Sequence, residues 1–379
     1  MKNLILIFIV TILFTACSVK EKVVEINLPE DEQEELLKEE KKIEETKPKK
    51  EEQSKERIFS LDPFKITEDD KNLYIQKPKF NIAFVYPSNI IASYGKTSIR
   101  TIISYLSFVK SNYNLKVYDS KIENIQNLKD TFEKIKEDGY DKVIALYTPQ
   151  AIETLSSLDT SGLEIYLPLG NHEDYTLLKD NFIYGSISYK KQIEKLLEYS
   201  SINNAMFYQD SYIGRRLKKS YEDIVLDTIV TKKIKKDRNY FKGIVKDERL
   251  NDSTLMLNTS LVKTALILSQ LRVYETTPSV ILSTQLSFKP KLISLTQAQD
   301  RKNIIFANSI DDVDDKLEDI LNTFDVDINY NWVAYSILVG VDYLYEQTNS
   351  LLKTEIEDNI VRYEPKLYKT TSFGFSRIK

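Results

Sequence analysis

The sequence predicts an α/β protein with two doubly wound lobes, each a mainly parallel sheet covered by helices, after a charged and disordered N-terminal tether. Short apolar runs alternate with segments of helical period from about residue 79 onward, which is typical of parallel strands joined by helices. The alternation starts again near residue 189, after the extended segment Asn181–Ser188. A second series of this kind indicates a second lobe.

Residues 1–16 have the form of a secretory signal peptide, with a basic start and an apolar run at Leu4–Leu13 that is too short to span a bilayer. The run ends at Phe14-Thr15-Ala16-Cys17, which resembles the lipobox of bacterial lipoproteins except that Phe14 replaces the usual leucine. We expect Cys17, the only cysteine, to carry a lipid anchor. Because Ser18 follows it rather than aspartate, resemblance to the sorting rules of diderm bacteria indicates the outer membrane, with the protein facing the periplasm.

Residues 17–60 are predicted to be a flexible tether that begins at the lipidated cysteine. Glu and Lys dominate it, as in Glu30–Lys42 and Lys47–Arg57, and no apolar period is sustained, so these residues form no core. A tether of about 40 residues reaches roughly 60 Å if helical and roughly twice that if extended. It either lets the folded part work away from its membrane or is a passive spacer.

The composition argues against several classes of function. The formal net charge is -4, and no basic stripe marks a nucleic-acid surface. The chain has one cysteine and one histidine, His172, which argues against a Cys/His metal site and against a Cys–His catalytic pair. No nucleophile motif accompanies His172, so we expect it to form a turn or contact a rim. The sequence therefore predicts neither an enzyme, nor a cofactor, nor a metal site.

The first lobe is predicted to begin with a strand at Lys79–Tyr86, where an alternating pattern becomes fully apolar. Its next helix carries apolar residues at helical spacing over Tyr94–Lys110. The remaining predicted elements are a strand at Leu115–Tyr118, a helix at Ile122–Asp138 that ends at Gly139, a strand at Val143–Tyr147, a helix capped by Thr148 with Pro149 at its first position, and a strand at Leu163–Leu167.

The second lobe is predicted to repeat the alternation. Its elements are a helix at Tyr189–Tyr199, a strand at Ala205–Tyr208, a helix at Arg215–Ile224, strands at Leu226–Val230 and Thr254–Leu257, a helix at Leu261–Val273, and strands at Val280–Ser283 and Asn303–Phe306. The acidic segment Asp311–Asp319 follows. We interpret it as the solvated start of a helix, where acids are favoured; a metal-binding loop is the alternative.

The C-terminal part contains the most apolar helix, Trp332–Tyr345, which we expect to pack inside a sheet layer. Beyond it, Asn359–Tyr368 is predicted to form a hairpin. The domain prediction is a two-lobed unit over residues 61–379, with lobe 1 at about 79–183 and 306–350, lobe 2 at about 189–303, and a tail at 351–379.

The order of elements over about residues 79–350 resembles the type I periplasmic-binding-protein fold, with two Rossmann-like lobes. Phe207–Glu222, FYQDSYIGRRLKKSYE, is similar to the opening of the second lobe in that family. Three short segments resemble the penicillin-binding-protein activator lipoproteins within this superfamily: Val117–Ser120, Glu137–Leu146 and Gly340-Val341-Asp342. That resemblance implies an outer-membrane lipoprotein that brings a binding-protein-like domain to a cell-wall synthase.

The resemblance also implies a cleft lined by turns at strand ends. Its predicted residues are Ser88, Tyr94, Thr148, Asn171, Ser188, Asp210 and Thr284, with Leu169 and Gln285 beside them. In amino-acid-binding members, hydroxyls and helix N-terminal N–H groups hold the ligand carboxylate, a role open to Ser88, Thr148 and Asn171. Asp210 is the candidate for the ligand ammonium. Each of these residues is equally suited to cap a helix or form a turn.

We therefore expect a non-enzymatic envelope lipoprotein, anchored to the membrane through Cys17, whose domain docks on and regulates another envelope protein, plausibly a peptidoglycan synthase. The alternative is a solute-binding lipoprotein of an ABC importer that takes an amino acid or similar small polar ligand. Neither predicted function involves nucleic acid.

Overall fold

The computed structural model describes residues 79–201, 203–346, 351–352 and 354–378. The predicted signal peptide, the lipidation at Cys17 and the charged tether lie outside the described residues. Within the described part, no helix is long and apolar enough to cross a membrane.

The first lobe is built on a seven-stranded sheet in the order β11-β12-β5-β4-β3-β1-β2. Strands β1 to β5 are parallel to their neighbours, as expected for strands joined by helices. The strands span Phe80–Tyr86 (β1), Tyr113–Asp119 (β2), Lys142–Ala145 (β3), Glu164–Leu167 (β4), Phe182–Tyr184 (β5), Glu355–Glu357 (β11) and Ile360–Arg362 (β12).

Five helices pack on this sheet or on one another in the first lobe. They span Ser88–Phe108 (α1), Ile125–Glu137 (α2), Pro149–Ser156 (α3), Asp315–Thr323 (α9) and Trp332–Glu346 (α10). Every residue of α10 from Val333 to Asp342 is buried, and the helix packs against α1, β3 and β4. Its nearly uniform apolar surface is explained by this position between a helix and the sheet.

The second lobe has a sheet of the same design, in the order β14-β13-β10-β9-β8-β6-β7. Its strands span Asn204–Gln209 (β6), Val230–Ile234 (β7), Thr254–Asn258 (β8), Val280–Ser283 (β9), Ile304–Asn308 (β10), Lys366–Thr370 (β13) and Phe375–Arg377 (β14). Its helices span Tyr189–Leu197 (α4), Tyr212–Glu222 (α5), Lys242–Val245 (α6), Leu261–Val273 (α7) and Lys291–Leu295 (α8). Short 3-10 turns at Gln285–Ser287 and Ile328–Tyr330 follow β9 and precede α10.

The predicted fold class is confirmed: two parallel-dominated sheets alternate with helices in two lobes. The boundaries of some helices and strands differ from those predicted. Helix α1 begins at Ser88 rather than Tyr94 and contains a non-helical residue at Ile91. Strand β7 begins at Val230, where the sequence indicated that a strand should end. Because β7 lies at the sheet edge and carries Lys232 and Lys233, its apolar pattern is weak.

The predicted hairpin at Asn359–Tyr368 is wrong. Ile360–Arg362 pairs with β5 and β11 in the first sheet, whereas Lys366–Thr370 pairs with β10 and β14 in the second. The chain therefore crosses between the lobes within that segment. Each sheet gains a terminal hairpin at an edge that would otherwise expose unpaired backbone groups.

Candidate functional site

Ser88 lies just beyond β1 and is bound by a carboxylate of the chain itself. Asp119 accepts the Ser88 backbone N–H at 3.0 Å and the Ser88 hydroxyl at 2.7 Å. The contact follows from the sheet order, because Tyr86 at the end of β1 pairs in register with Asp119 at the end of β2. Burial alone would raise the pKa of Asp119, but hydrogen bonds from Lys121 and Ser88 outweigh it and hold that pKa well below its ordinary value.

Thr148 is held in the same way at the end of β3. Glu123 accepts the Thr148 backbone N–H at 2.8 Å and its hydroxyl at 2.7 Å. Thr148 occupies the N-cap position of α3, but its side chain makes no capping bond to that helix. The Glu123 carboxylate instead lies at the helix N-terminus, where negative charge is favoured.

Asn171 and Ser188 lie near the crossing from the first lobe to the second and are joined through Glu173. The amide oxygen of Asn171 accepts the Glu173 N–H at 3.0 Å, and its amide nitrogen donates to the Ile187 carbonyl at 3.5 Å. Ser188 donates to the Glu173 carboxylate at 3.2 Å and accepts the Lys191 N–H at 3.2 Å as the cap of α4. Both residues therefore stabilise the segment in which the chain passes from the first lobe to the second.

Asp210 and Thr284 are on the second lobe, and both are already paired. Asp210 contacts Arg215 at 3.0 Å and Lys233 at 3.5 Å. Thr284 is fully buried, and its hydroxyl donates to the Asn258 amide oxygen at 3.0 Å. An acid neutralised by two cations of its own lobe is poorly placed to attract a ligand ammonium.

Tyr94 is the predicted cleft residue that faces open space. It is 48% exposed and lines a cavity of about 230 Å³. The first lobe contributes Tyr94 and Trp332 to this cavity, and the second contributes Gln285, Leu286 and Lys289. The remaining lining residues are Tyr189, Phe288, Asn308, Ile310, Tyr330, Asn331 and Val333. Gln285, which the sequence also placed at the cleft, is therefore confirmed as a lining residue, whereas Ser88, Thr148, Asn171, Ser188, Asp210 and Thr284 do not line this cavity.

One ion pair crosses between the lobes near the predicted cleft. Arg216 on α5 contacts Asp174, which follows β4, at 2.7 Å, and both side chains are three-quarters buried or more. Burial raises the pKa of Asp174, and the guanidinium of Arg216 opposes that shift. The pair therefore joins the two lobes directly.

A second polar network fixes the start of the second lobe. The Gln192 side chain on α4 donates to the Gln285 amide oxygen at 2.7 Å and to the Ser309 hydroxyl at 2.8 Å. The Gln285 N–H returns a bond to Gln192 at 3.2 Å. These residues tie the first helix of the lobe to the ends of β9 and β10.

His172 begins a 3-10 turn after β4 and is partly buried, and its side chain makes no hydrogen bond to another described residue. Burial lowers its pKa, so the imidazole is neutral at physiological pH. Within the described ranges, no three His, Cys, Asp or Glu side chains are grouped to hold a metal ion.

Sequence reasoning placed Ser88 and Thr148 at strand-end turns but missed the partners that bind them. The position of Asp119 at the end of the second strand was a usable signal, since parallel strands that pair bring their carboxyl ends together. Glu123, Gln192 and Arg216 had no such signal, because each acts through a contact that only the tertiary fold creates.

Comparison with known proteins identifies the fold. No protein-family model matches the sequence, and no curated protein sequence matches it significantly. Among solved structures, a protein described as a branched-chain amino acid ABC transporter from Rhodospirillum rubrum is similar, with a TM-score of 0.64, 11% identity, and coverage of 79% of this chain and 100% of that chain.

Two further structures represent different functions on the same fold. The substrate-binding protein LivJ of Streptococcus pneumoniae, in complex with isoleucine, has a TM-score of 0.57 and 12% identity over 79% of this chain and 99% of its own. The C-domain of LpoA from Haemophilus influenzae, a regulator of PBP1A, has a TM-score of 0.56 and 11% identity over 79% and 100%. At this identity the likeness establishes the two-lobed binding-protein fold, which is common to transporters and to a regulator.

Proposed function

We propose that this chain is a non-enzymatic envelope lipoprotein whose two-lobed domain docks on and regulates another envelope protein, for which a peptidoglycan synthase is the candidate. In this proposal Cys17 carries the lipid anchor, the charged segment up to about residue 60 is the tether, and the anchoring membrane is the outer membrane. The regulator LpoA, which has the same fold, provides the analogy.

The observation that carries the proposal is the internal occupation of the predicted amino-acid site. Ser88 and Thr148, the residues suited to a ligand carboxylate, hold Asp119 and Glu123 instead. Asp210, the residue suited to an ammonium, is paired with two cations. A free amino acid would have to displace charge-assisted hydrogen bonds, each typically worth about 1.5–3 kcal/mol.

The contacts between the lobes support the same conclusion. A solute-binding protein couples ligand binding to closure of its lobes. Here Arg216 and Asp174 already join the lobes through the chain's own charges. A domain held together in this way suits a docking surface of fixed shape.

Cross-linking in the native envelope tests the proposal directly. The full-length chain would be cross-linked in its own cells and the covalent partners identified by mass spectrometry. The Cys17→Ser variant, which cannot be lipidated, is the matched control. Recovery of a peptidoglycan synthase with the wild type and its loss with the control is the expected result. Recovery of an ABC permease would overturn the proposal.

The solute-binding alternative has one observation in its favour, the cavity of about 230 Å³ near Tyr94 that both lobes line. LivJ shows that this fold binds isoleucine in at least one protein. A thermal-shift screen of amino acids separates the two functions, because a ligand at 100 times its Kd stabilises by about 2.7 kcal/mol. We expect no such shift in the wild type. A shift that a Tyr94→Ala variant abolishes would favour the importer.

A further inference from the structure

Strand β7 is an open edge of the second sheet. It pairs with β6 on one side and lies at the end of the strand order, so no strand of the described chain pairs with its other side. The Ile234 carbonyl accepts the Asp210 N–H at 2.8 Å beyond β6. Because backbone groups alternate in direction along a strand, Thr231 and Lys233 direct theirs to the open side. Such an edge can accept a further strand from another chain.

The chain is strongly basic within β7 and after it. Residues 230–249 contain eight Lys and Arg residues and three Asp and Glu residues, in a chain whose formal net charge is -4. Within β7, Lys232 pairs with Asp247 and Lys233 pairs with Asp210, both at 3.5 Å. Five further cations are exposed and form no ion pair with a described residue: Lys235, Lys236, Arg238, Lys242 and Lys246. These five lie outside the strand, so protection of a sheet edge by lysines does not account for them.

Contacts with α7 fix the position of this basic segment. Lys263, which is only 7% exposed, donates to the Asn239 side-chain oxygen at 2.7 Å and to the Arg238 carbonyl. Gln270 accepts the Phe241 N–H at 2.6 Å and donates to the Asn239 carbonyl at 3.1 Å. The exposed cations are therefore presented on a backbone that the second lobe holds in place.

The surface suits a protein partner better than a membrane or a second copy of this chain. An interfacial membrane segment needs apolar side chains that enter the bilayer, but four apolar residues of this segment are buried in the lobe: Ile234, Phe241, Ile244 and Val245. Two copies of the same lysine-rich edge would repel each other. An extended protein segment, unlike a lipid headgroup, can pair its own backbone with the open side of β7.

We propose that β7 and residues 235–246, together called the basic edge, form a docking surface for an extended acidic segment of a partner protein. The segment adds a strand to the open side of β7, and its Asp and Glu side chains contact the exposed cations. Backbone pairing supplies affinity, and complementary charge supplies specificity. The proposal rests on the docking function proposed above, since it names the surface and the kind of partner that docking uses.

Fluorescence anisotropy of a labelled peptide, titrated with the full-length chain, tests the basic edge. The probe is the blocked peptide Thr-Glu-Val-Glu-Val-Glu-Thr, and the control is the same peptide with glutamine in place of each glutamate. We expect the acidic peptide to bind with a Kd below about 1 mM and the glutamine peptide to bind at least about tenfold more weakly. Absence of binding, or equal binding of the two peptides, would overturn the proposal.

Blocking the backbone separates strand addition from attraction between charges alone. The acidic peptide N-methylated at its three central residues keeps its charges but has no backbone donors there, and we expect about tenfold weaker binding. On the protein, Thr231→Pro removes an N–H that faces the open side, where proline is tolerated. Thr231→Ala is its control and should bind as the wild type does. Equal binding of the methylated and unmethylated peptides would refute strand addition on the unaltered protein.

Two double variants locate the charge effect. Lys235→Glu with Lys236→Glu reverses two cations of the basic edge and should weaken binding about tenfold or more. Lys291→Glu with Lys302→Glu makes the same change in net charge at exposed lysines of α8 and of the turn before β10, which three strands separate from β7. This control should change the Kd by less than about twofold. Equal weakening by both double variants contradicts a local surface.

Competition with a lipid surface completes the test. Phosphatidylglycerol vesicles, added to the peptide bound to the unlipidated Cys17→Ser chain, should leave the peptide in place. Displacement of the peptide would assign the basic edge to a membrane surface and overturn the proposal. Absence of peptide binding refutes this surface alone, whereas recovery of an ABC permease by cross-linking refutes the docking function on which it rests.

Discussion

The Asp119 carboxylate takes both the backbone N–H and the hydroxyl of Ser88, at 3.0 and 2.7 Å. It thereby occupies the two Ser88 donors that the sequence suggested for a ligand carboxylate. We expect Asp119→Ala to lower the free energy of unfolding by about 1.5–3 kcal/mol, because it leaves two partly buried donors unpaired. Urea unfolding followed by circular dichroism measures the loss.

Asp130→Ala is the control for this variant. Asp130 is exposed on α2 and accepts only the Gln126 side chain, so its removal should change stability by less than about 0.5 kcal/mol. If Asp119→Ala is as mild as Asp130→Ala, then the carboxylate does not hold the turn, and the argument that the predicted site is internally occupied loses its basis.

The ion pair between Arg216 and Asp174 gives a second prediction. Arg216→Ala should loosen the two lobes, which small-angle X-ray scattering measures as a larger radius of gyration. Arg215→Ala is the control, since Arg215 pairs with Asp210 inside the second lobe. A double-mutant cycle with Asp174→Ala should show a coupling of up to about 1 kcal/mol. A radius unchanged in Arg216→Ala, together with zero coupling, would show that the lobes are held by other contacts.

The elements that could be predicted from sequence are those whose cause is local. Strand β1 and helix α2 are examples, because the apolar pattern that identifies each of them lies within its own residues. Elements of this kind were sufficient to predict the fold class. The pairing of β12 and β13 could not be predicted, because which sheet edge a short strand covers depends on the edges left open by distant strands. The contact between Glu123 and Thr148 could not be predicted either. In the sequence, each residue is of a type that is common at the start of a helix, and nothing indicates that the two meet.

Asp342 should make the stability of the protein depend on pH. It is fully buried beside the Tyr105 hydroxyl, which donates to it at 2.7 Å, and burial raises its pKa to about 6. Since the ordinary value is about 4, the folded state holds this proton more tightly than the unfolded state. Its stabilising contribution is therefore complete below about pH 4 and is lost as pH rises through about 6, with a loss of about 3 kcal/mol.

The Asp342→Asn variant isolates this contribution. Carboxyl groups whose pKa is lowered on folding, such as Asp159, make the protein less stable as the pH falls. They are present in both the wild type and the variant, so their effect cancels in the difference between the two. The difference in unfolding free energy, wild type minus variant, should fall between about pH 4 and 6.5 and then level off. A difference that stays constant over this range would mean that Asp342 titrates normally.

Gly340 on α10 provides the sharpest test of the packing between that helix and the first sheet. A Cβ at position 340 would lie 2.4 Å from the ring of Tyr166, which is fully buried on β4. In a free helix, Gly340→Ala would stabilise by about 1 kcal/mol, but here we expect a loss of about 3 kcal/mol through overpacking. Gly374→Ala, where nothing lies within 4 Å, should be nearly neutral. In a Tyr166→Leu background the cost at Gly340 should largely disappear, and its persistence there would place the clash elsewhere.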